Sequence, residues 1–399
     1  MGSLRVRELD ALRSFALLGI LMVNVWYFAD PWTLSGSPNP TNSGLDTLVR
    51  FLVTALFEAK FYLLFSFLFG YSFVLQWASA RDASAPLVSR TLRRLGFLAV
   101  LGILHGVFLF YGDILLTYAL LGCILLATRA AGPRAALVTG IVLTGAVALL
   151  LLLTALLMVL AAVLEPAPPG ITEVAGTEIP GVTTSAGAAL GENADTYLRI
   201  LPSVVFFQGP LALAALYAGV AAGKVRLIER QIPGRILRKA IFFSLPLGLA
   251  AATVQAYLVH YRGDDASATL ATAISVATSP LLTVSYAAAL LLAFRTRWGR
   301  RLLRVLEPAG RLALSNYLLQ SAVLALVFTG YGLQLADQLP PLLVVLLVVG
   351  VFSAQLALSR WWLAHFAQGP AEWALRRVTY RWRPARTEDA QDRGSGPLE

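Results

Sequence analysis

Residues 136–163 read ALVTGIVLTGAVALLLLLTALLMVLAAV, twenty-eight positions without a charged side chain. A helix needs about 20 apolar residues to cross a hydrocarbon core of about 30 Å, so this stretch is long enough to span a membrane. Apolar runs of about eighteen residues or more recur on both sides of it. The chain of 399 residues is 57% hydrophobic and only 14% charged, where a soluble domain carries roughly 25% charged residues. The reading is all-α: a polytopic transmembrane helical bundle. The expected spans are 14–30, 49–77, 95–111, 113–128, 136–163, 201–223, 238–260, 270–294, 312–330 and 340–364, about ten in all. The third and fourth are short and joined by a tight turn at Tyr111-Gly112-Asp113.

The loops test this count. Arg81, Arg90, Arg93 and Arg94 precede the third span, and Arg129 and Arg134 separate the fourth from the fifth. Lys224, Arg226, Arg230, Arg235, Arg238 and Lys239 lie between the sixth and seventh, and Arg295, Arg297, Arg300, Arg301, Arg304 and Arg311 between the eighth and ninth. Segments 31–48 and 331–339 have no Lys or Arg, 164–200 has only Arg199, and 261–269 only Arg262. Basic and non-basic loops alternate, which predicts cytoplasmic N- and C-termini and an even number of spans. Arg5, Arg7 and Arg13 before residues 14–30 superficially resemble a signal peptide. No small-residue cleavage pattern follows, so a retained first span is expected.

On this reading residues 1–383 form a single transmembrane domain with an acidic external loop at 164–199, and 384–399 form a disordered cytoplasmic tail. The net charge of +10 belongs to cytoplasmic loops and not to a nucleic-acid surface. The expected partners are membrane lipids and a small-molecule, glycan or lipid acceptor, with no nucleic acid. The sequence fixes no oligomeric state; a homodimer is one candidate. The scarcity of Lys beside Arg, with abundant Ala and Leu, suggests a GC-rich bacterial genome and so a bacterial plasma (inner) membrane. Cys123 is the single cysteine, so neither an intrachain disulfide nor a cysteine metal cluster is expected. Metal, phosphate-loop and dinucleotide motifs are absent from the sequence, and no metal is expected.

Ionisable groups within spans are expensive and usually face the bundle interior. Glu58 and Lys60 fall about 15 Å deep in the second span. They are too close in sequence to stack, so each is expected to find a partner on a neighbouring span. They read either as a structural charge pair or as part of a substrate or proton path. His105 is the one histidine expected inside a span; His260 and His365 fall at span ends. It can be a hydrogen-bonded buried residue or a general base. Asp113 caps the fourth span, or orients a substrate hydroxyl or the histidine. Asp10 and Arg13, one turn apart at the inner face, can pair or bind phosphate. Asn24 projects near the same face of that helix. Asn316 and Gln320 form a polar stripe, commonly interhelical glue. Tyr118 joins them as a substrate-binding candidate. The second, third, fourth and ninth spans are expected to bring Glu58, Lys60, His105, Asp113, Asn316 and Gln320 to one polar cavity.

These residues also carry a family likeness. RELDALRSFALLGILMVN at the start, KFYLLFSFLFG at 60–70, LGILHGVFLFYGDILLTYALLG at 101–122, EPAGRLALSNYLLQS at 307–321 and QGPAEWALRRVTY at 368–380 resemble the YeiB-like family of bacterial inner-membrane proteins (domain of unknown function 418). That family is similar to a wider group of transmembrane acyltransferases, which includes the acyltransferase-3 proteins and the heparan-glucosaminide acetyltransferases. The resemblance implies acyl-CoA as a cytoplasmic co-substrate and an acceptor hydroxyl or amine at or across the membrane. The Asp10-x-x-Arg13 pattern matches the group. Where acyltransferase-3 proteins carry a catalytic histidine, about three turns on, this chain has Asn24. That leaves His105 as base and Asn24 as a candidate oxyanion donor. The alternative is a transporter or exporter of a small or lipidic molecule, in which Glu58, Lys60, His105 and Asp113 line the path. A non-catalytic scaffold is a third reading.

Overall fold

The computed structural model describes residues 7–34, 39, 42–82, 86–164, 185–262 and 264–380. Among these there is no strand. The helices are α1 (Arg7–Asn24), α2 (Trp26–Ala29), α3 (Gly44–Leu56), α4 (Lys60–Asp82), α5 (Leu87–Phe108), α6 (Leu115–Ala127), α7 (Pro133–Leu164), α8 (Ala186–Ser203), α9 (Gly209–Lys224), α10 (Gly234–Tyr257), α11 (Asp265–Ala293), α12 (Arg297–Arg311), α13 (Ala313–Phe328), α14 (Pro341–His365) and α15 (Pro370–Tyr380). Eight helical segments are long and apolar enough to cross a membrane. The protein is therefore a polytopic membrane helical bundle.

Each expected span coincides with one of these helices, but with three corrections. The second is broken at Phe57-Glu58-Ala59, where Ala59 adopts φ 64°, so α3 and α4 are separate helices. The fourth is only the 13 residues of α6, and the ninth is the 16-residue α13, which joins α12 at a bend of 79°. Part of the expected external loop 164–199 is the helix α8, which runs on through Pro202 and a single π-turn at Val204–Gln208 into α9. Residues 165–184 and the tail expected at 384–399 lie outside the described residues.

Local chemistry explains the helix starts. Ser43 and Asp46 form a reciprocal capping box at α3. Asp264 caps α11 and Thr296 caps α12. Each side-chain oxygen satisfies an N–H that the first turn leaves unpaired. The start of α13 is capped from a distance. Glu372 of α15 accepts from the backbone N–H of Leu314 (2.8 Å) and Ser315 (3.1 Å) and from the Ser315 hydroxyl (2.5 Å). Its carboxylate also meets the positive end of the helix dipole.

Between spans, the interior is apolar like the lipid, so close backbone approach contributes more than hydrophobic burial. The α4–α9 crossing is built this way. A Cβ at Gly70 would strike the Leu216 backbone, and one at Gly219 would strike that of Phe67.

The basic segments gather at one end of the bundle. Arg7 pairs with Glu307 at 2.6 Å, Lys224 donates to the Arg129 carbonyl at 2.8 Å, and Arg90 lies 5.0 Å from the Tyr380 ring. At the other end the Tyr111 hydroxyl donates to the Tyr27 carbonyl (2.7 Å) and the Asp337 N–H to that of Ala29 (2.8 Å). The alternation of loop charge is thus matched by a physical segregation of the loops.

Candidate functional site

His105 occupies the last turn of α5. The chain then reverses through residues 109–114 and enters α6. Asp113 sits in that reversal, eight residues later, and its Oδ2 accepts from the Leu116 N–H at 2.9 Å, capping α6. The turn can close so tightly because residue 102 is glycine. A Cβ there would lie 2.7 Å from Asp113 Oδ2 and closer still to the Leu116 nitrogen.

The second carboxylate oxygen faces the histidine: His105 Nδ1 and Asp113 Oδ1 are 2.8 Å apart. On the far side of the ring Nε2 is 2.9 Å from the Ser321 hydroxyl of α13. The three are 2%, 1% and 3% exposed. An ionised carboxylate can only accept, so Nδ1 carries the proton. In the neutral ring Nε2 is then the acceptor, and Ser321 Oγ–H donates to it. The order is carboxylate, imidazole, hydroxyl: an orienting group, a base and a hydroxyl within reach of that base. The Tyr317 ring centroid lies 4.9 Å from that of His105, and Phe110 lies edge-on at 6.3 Å.

α8 folds over this corner. The Tyr197 ring packs on Gly106, where a Cβ would collide with it. The Tyr197 hydroxyl is buried without a hydrogen-bond partner among the described residues, close enough to Asp113 to feel its charge. Asn193 donates to the carbonyls of Gly106 (2.7 Å) and Val107 (2.8 Å) and accepts from the Tyr111 N–H (3.0 Å). The last carbonyls of a helix lack intrahelical partners; one asparagine from α8 supplies two of them.

The other candidates do not share this cavity, which corrects the expectation of one polar centre. Lys60, 1% exposed, donates to the Thr54 carbonyl and to Gln255 Oε1, both at 3.2 Å. Glu58 is half-buried beside it, and Thr54 in turn meets His260 Nε2 at 2.8 Å. This second cluster joins α3, α4 and α10, and the partner on a neighbouring span is Gln255. Asn316 donates to the Ala309 carbonyl and to Ser359 (both 3.0 Å), and Gln320 to Gln355 (2.9 Å), which itself donates to the Asn316 carbonyl (3.0 Å). That is a ladder tying α13 to α14, the interhelical use of such residues. Tyr118 pairs with Ser66 at 2.7 Å inside the α4–α6 packing. Asn24 ends α1 half-buried, and both ring nitrogens of His105 are taken by other residues.

At the basic end Asp10 and Arg13 form an ion pair, and Arg13 also donates to Ser72 at 2.6 Å. Arg94 stands close enough for the two guanidiniums to repel. Its Nε is buried without a hydrogen-bond partner among the described residues. A small cleft beside it is lined by Gln76, Ser79, Arg90, Thr91 and Tyr380.

Sequence reasoning missed Ser321, Tyr197 and Asn193. The signal for Ser321 was its place as the last residue of the family-like block 307–321. Nothing in the sequence marks Asn193 or Tyr197, because their roles depend on α8 returning to α5.

Comparison with known proteins agrees with this architecture. The family model described as "Protein of unknown function (DUF418)" matches residues 222–382. "Uncharacterized protein YxaH" of Bacillus subtilis (strain 168) is 29% identical over 401 residues, covering 95% of this chain and 96% of the relative. "Uncharacterized protein YeiB" of Escherichia coli (strain K12) is 28% identical over 403 residues, covering 94% and 96%. No solved structure matches the chain. This multi-pass membrane protein is thus similar to the DUF418 family over residues 222–382 and to these bacterial relatives along nearly its whole length.

Proposed function

We propose that the protein is a membrane-embedded acyltransferase of the bacterial plasma membrane. It takes an acyl group from cytoplasmic acyl-CoA and passes it to the hydroxyl or amine of a small-molecule, glycan or lipid acceptor. The observation that carries the reading is the buried hydrogen-bonded order Asp113–His105–Ser321.

In this reading Asp113 holds the imidazole with its proton on Nδ1. His105 Nε2 takes the proton of Ser321 as Oγ attacks the acyl carbonyl. The thioester supplies an activated acyl group. His105 returns the proton to the departing thiolate, leaving the acyl group as an ester on Ser321. The acceptor hydroxyl or amine then gives its proton to Nε2 and attacks that ester, and Ser321 regains its hydrogen from His105. The free Tyr197 hydroxyl, beside Gly106, is the donor for the oxyanion of both steps.

The residues fit a donor with phosphates. Arg94 offers an unpaired buried N–H at the basic mouth, with Arg13 and Arg90 near it, and guanidinium is suited to phosphate. From Arg94 to His105 is eleven residues of α5, about 16 Å, a gap of the order that an extended pantetheine arm covers.

The second reading, a transporter, is favoured by one observation: a buried Lys60 and a half-buried Glu58 stand at the break between α3 and α4, and such intramembrane charges can mark ion paths. The experiment that separates the two is incubation of purified protein with radiolabelled short- and long-chain acyl-CoA in the absence of acceptor. A hydroxylamine-sensitive label on Ser321 supports acyl transfer. A folded protein that takes no label, and transfers none to lipid or glycan acceptors, overturns it.

A further inference from the structure

The basic segment between the eighth and ninth spans is a helix with three distinct faces. Gly299, Leu303, Leu306, Ala309 and Gly310 are buried against the bundle. At about 100° per residue, Trp298, Leu302 and Val305 follow at spacings of four and three and form one stripe beside the packed face. They are 73%, 40% and 44% exposed. Arg297, Arg300, Arg301 and Arg304 lie on the side turned away from the packed face, all exposed.

Two further facts give this amphipathic helix a direction. It meets α13 at 79°, so with α13 spanning the membrane α12 lies nearly in the membrane plane. It is also at the basic end, pinned to α1 by Arg7–Glu307. Glu307 is the sole carboxylate in α12 and Arg7 occupies it. Among the described residues none of the four arginines makes an ion pair. Arg300 donates to the Arg295 carbonyl at 2.9 Å, and Arg301 rests 4.6 Å from the Trp298 ring. Four cations without counter-charges therefore stand above an apolar stripe that an aqueous surface would not favour.

We infer that α12 is an interfacial helix whose arginine face binds the phosphates of anionic lipids in the cytoplasmic leaflet. Trp298, Leu302 and Val305 enter the acyl-chain boundary, and the arginines reach the headgroups. Zwitterionic headgroups offer no net charge and satisfy the face less well. Juxtamembrane basic residues are drawn to an anionic surface. The inference does not depend on the chemistry at Ser321, and its test does not use activity.

The test is ligand-induced thermal stabilisation of the detergent-purified full chain, titrated with phosphatidylglycerol or phosphatidylcholine of identical acyl chains. Phosphatidylglycerol is expected to stabilise the wild type at concentrations about tenfold lower than phosphatidylcholine. The variant R297Q/R300Q/R301Q/R304Q should lose that preference. The pairs R297Q/R301Q and R300Q/R304Q should each lose part of it, which guards against misfolding of the fourfold variant. R235Q/R238Q, in the first turns of α10, should keep it. A preference retained by both pairs and the fourfold variant, or lost equally in R235Q/R238Q, overturns the proposal. So does competition by equimolar inorganic phosphate, which would make the face a free-anion site.

Discussion

His105 and Ser321 stand 216 residues apart in the chain and meet at 2.9 Å. The contact exists because α5 and α13 cross near the non-basic end of the bundle. The reversal at Asp113 fixes the imidazole on its other side. Two helices and one turn therefore hold three groups that no single segment could assemble.

If this contact is catalytic, His105→Gln should lower acyl transfer about 10²–10⁴-fold, since glutamine keeps a hydrogen bond but not a base. Ser321→Ala should abolish the covalent label with little change in thermal stability. Full activity in His105→Gln would return the histidine to a purely structural role. The readout is single-turnover acylation beside a melting curve.

Gly102→Ala should destabilise the protein by about 1–3 kcal/mol, because the added methyl overpacks the turn that holds Asp113. Gly145→Ala is the control: a Cβ there meets nothing within 4 Å. Equal melting shifts for the two would reject the close-packing account of the turn.

Asn193→Ala should loosen the cover over His105. It removes two bonds to the end of α5 and one from Tyr111, and leaving buried groups unpaired costs about 1–3 kcal/mol each. Hydrogen exchange should quicken in residues 185–203 and 106–112. Unchanged protection there would mean that α8 is held by its apolar contacts alone.

Asp264, exposed at the start of α11, has its carboxyl held below the usual aspartate value, mainly by the Ser267 hydroxyl and then by the Ser267 N–H. A depressed folded-state value means that the cap's contribution is present above the ordinary aspartate pKa. It is lost as pH falls through that value toward the lowered one. The first turn of α11 should therefore fray only in strong acid, below the ordinary aspartate value, in wild type, and already at neutral pH in Asp264→Ala. Exchange at residues 265–268 that is flat with pH in both would reject the cap.

Cysteines placed at Ser185 and Arg301 should label from opposite sides of the membrane, the first from outside and the second from the cytoplasm. The native Cys123 is exposed, so the experiment needs a Cys123→Ala background. Labelling of both from one side would overturn the orientation.

Much of the fold was legible in the chain itself. Uncharged runs such as 136–163 must be helical in lipid, because no water is present to satisfy a bare backbone. Arginine placement separates one end of the bundle from the other. His105 and Asp113 were legible too, since eight residues about a tight turn bring them together. The partners across helices were not. Ser321, Gln255, Gln355 and Asn193 look like scattered polar residues until helix crossings pair them with His105, Lys60, Gln320 and the end of α5. The break at Ala59 and the 79° bend before α13 were hidden for the same reason. Hydropathy records how apolar a segment is, while the path of the backbone between segments depends on close contacts with neighbours far away in sequence. Composition thus determined that this protein lives in a membrane and which loops share a side. Tertiary packing alone decided which polar groups meet, because a buried hydrogen bond must find its partner within about 3 Å.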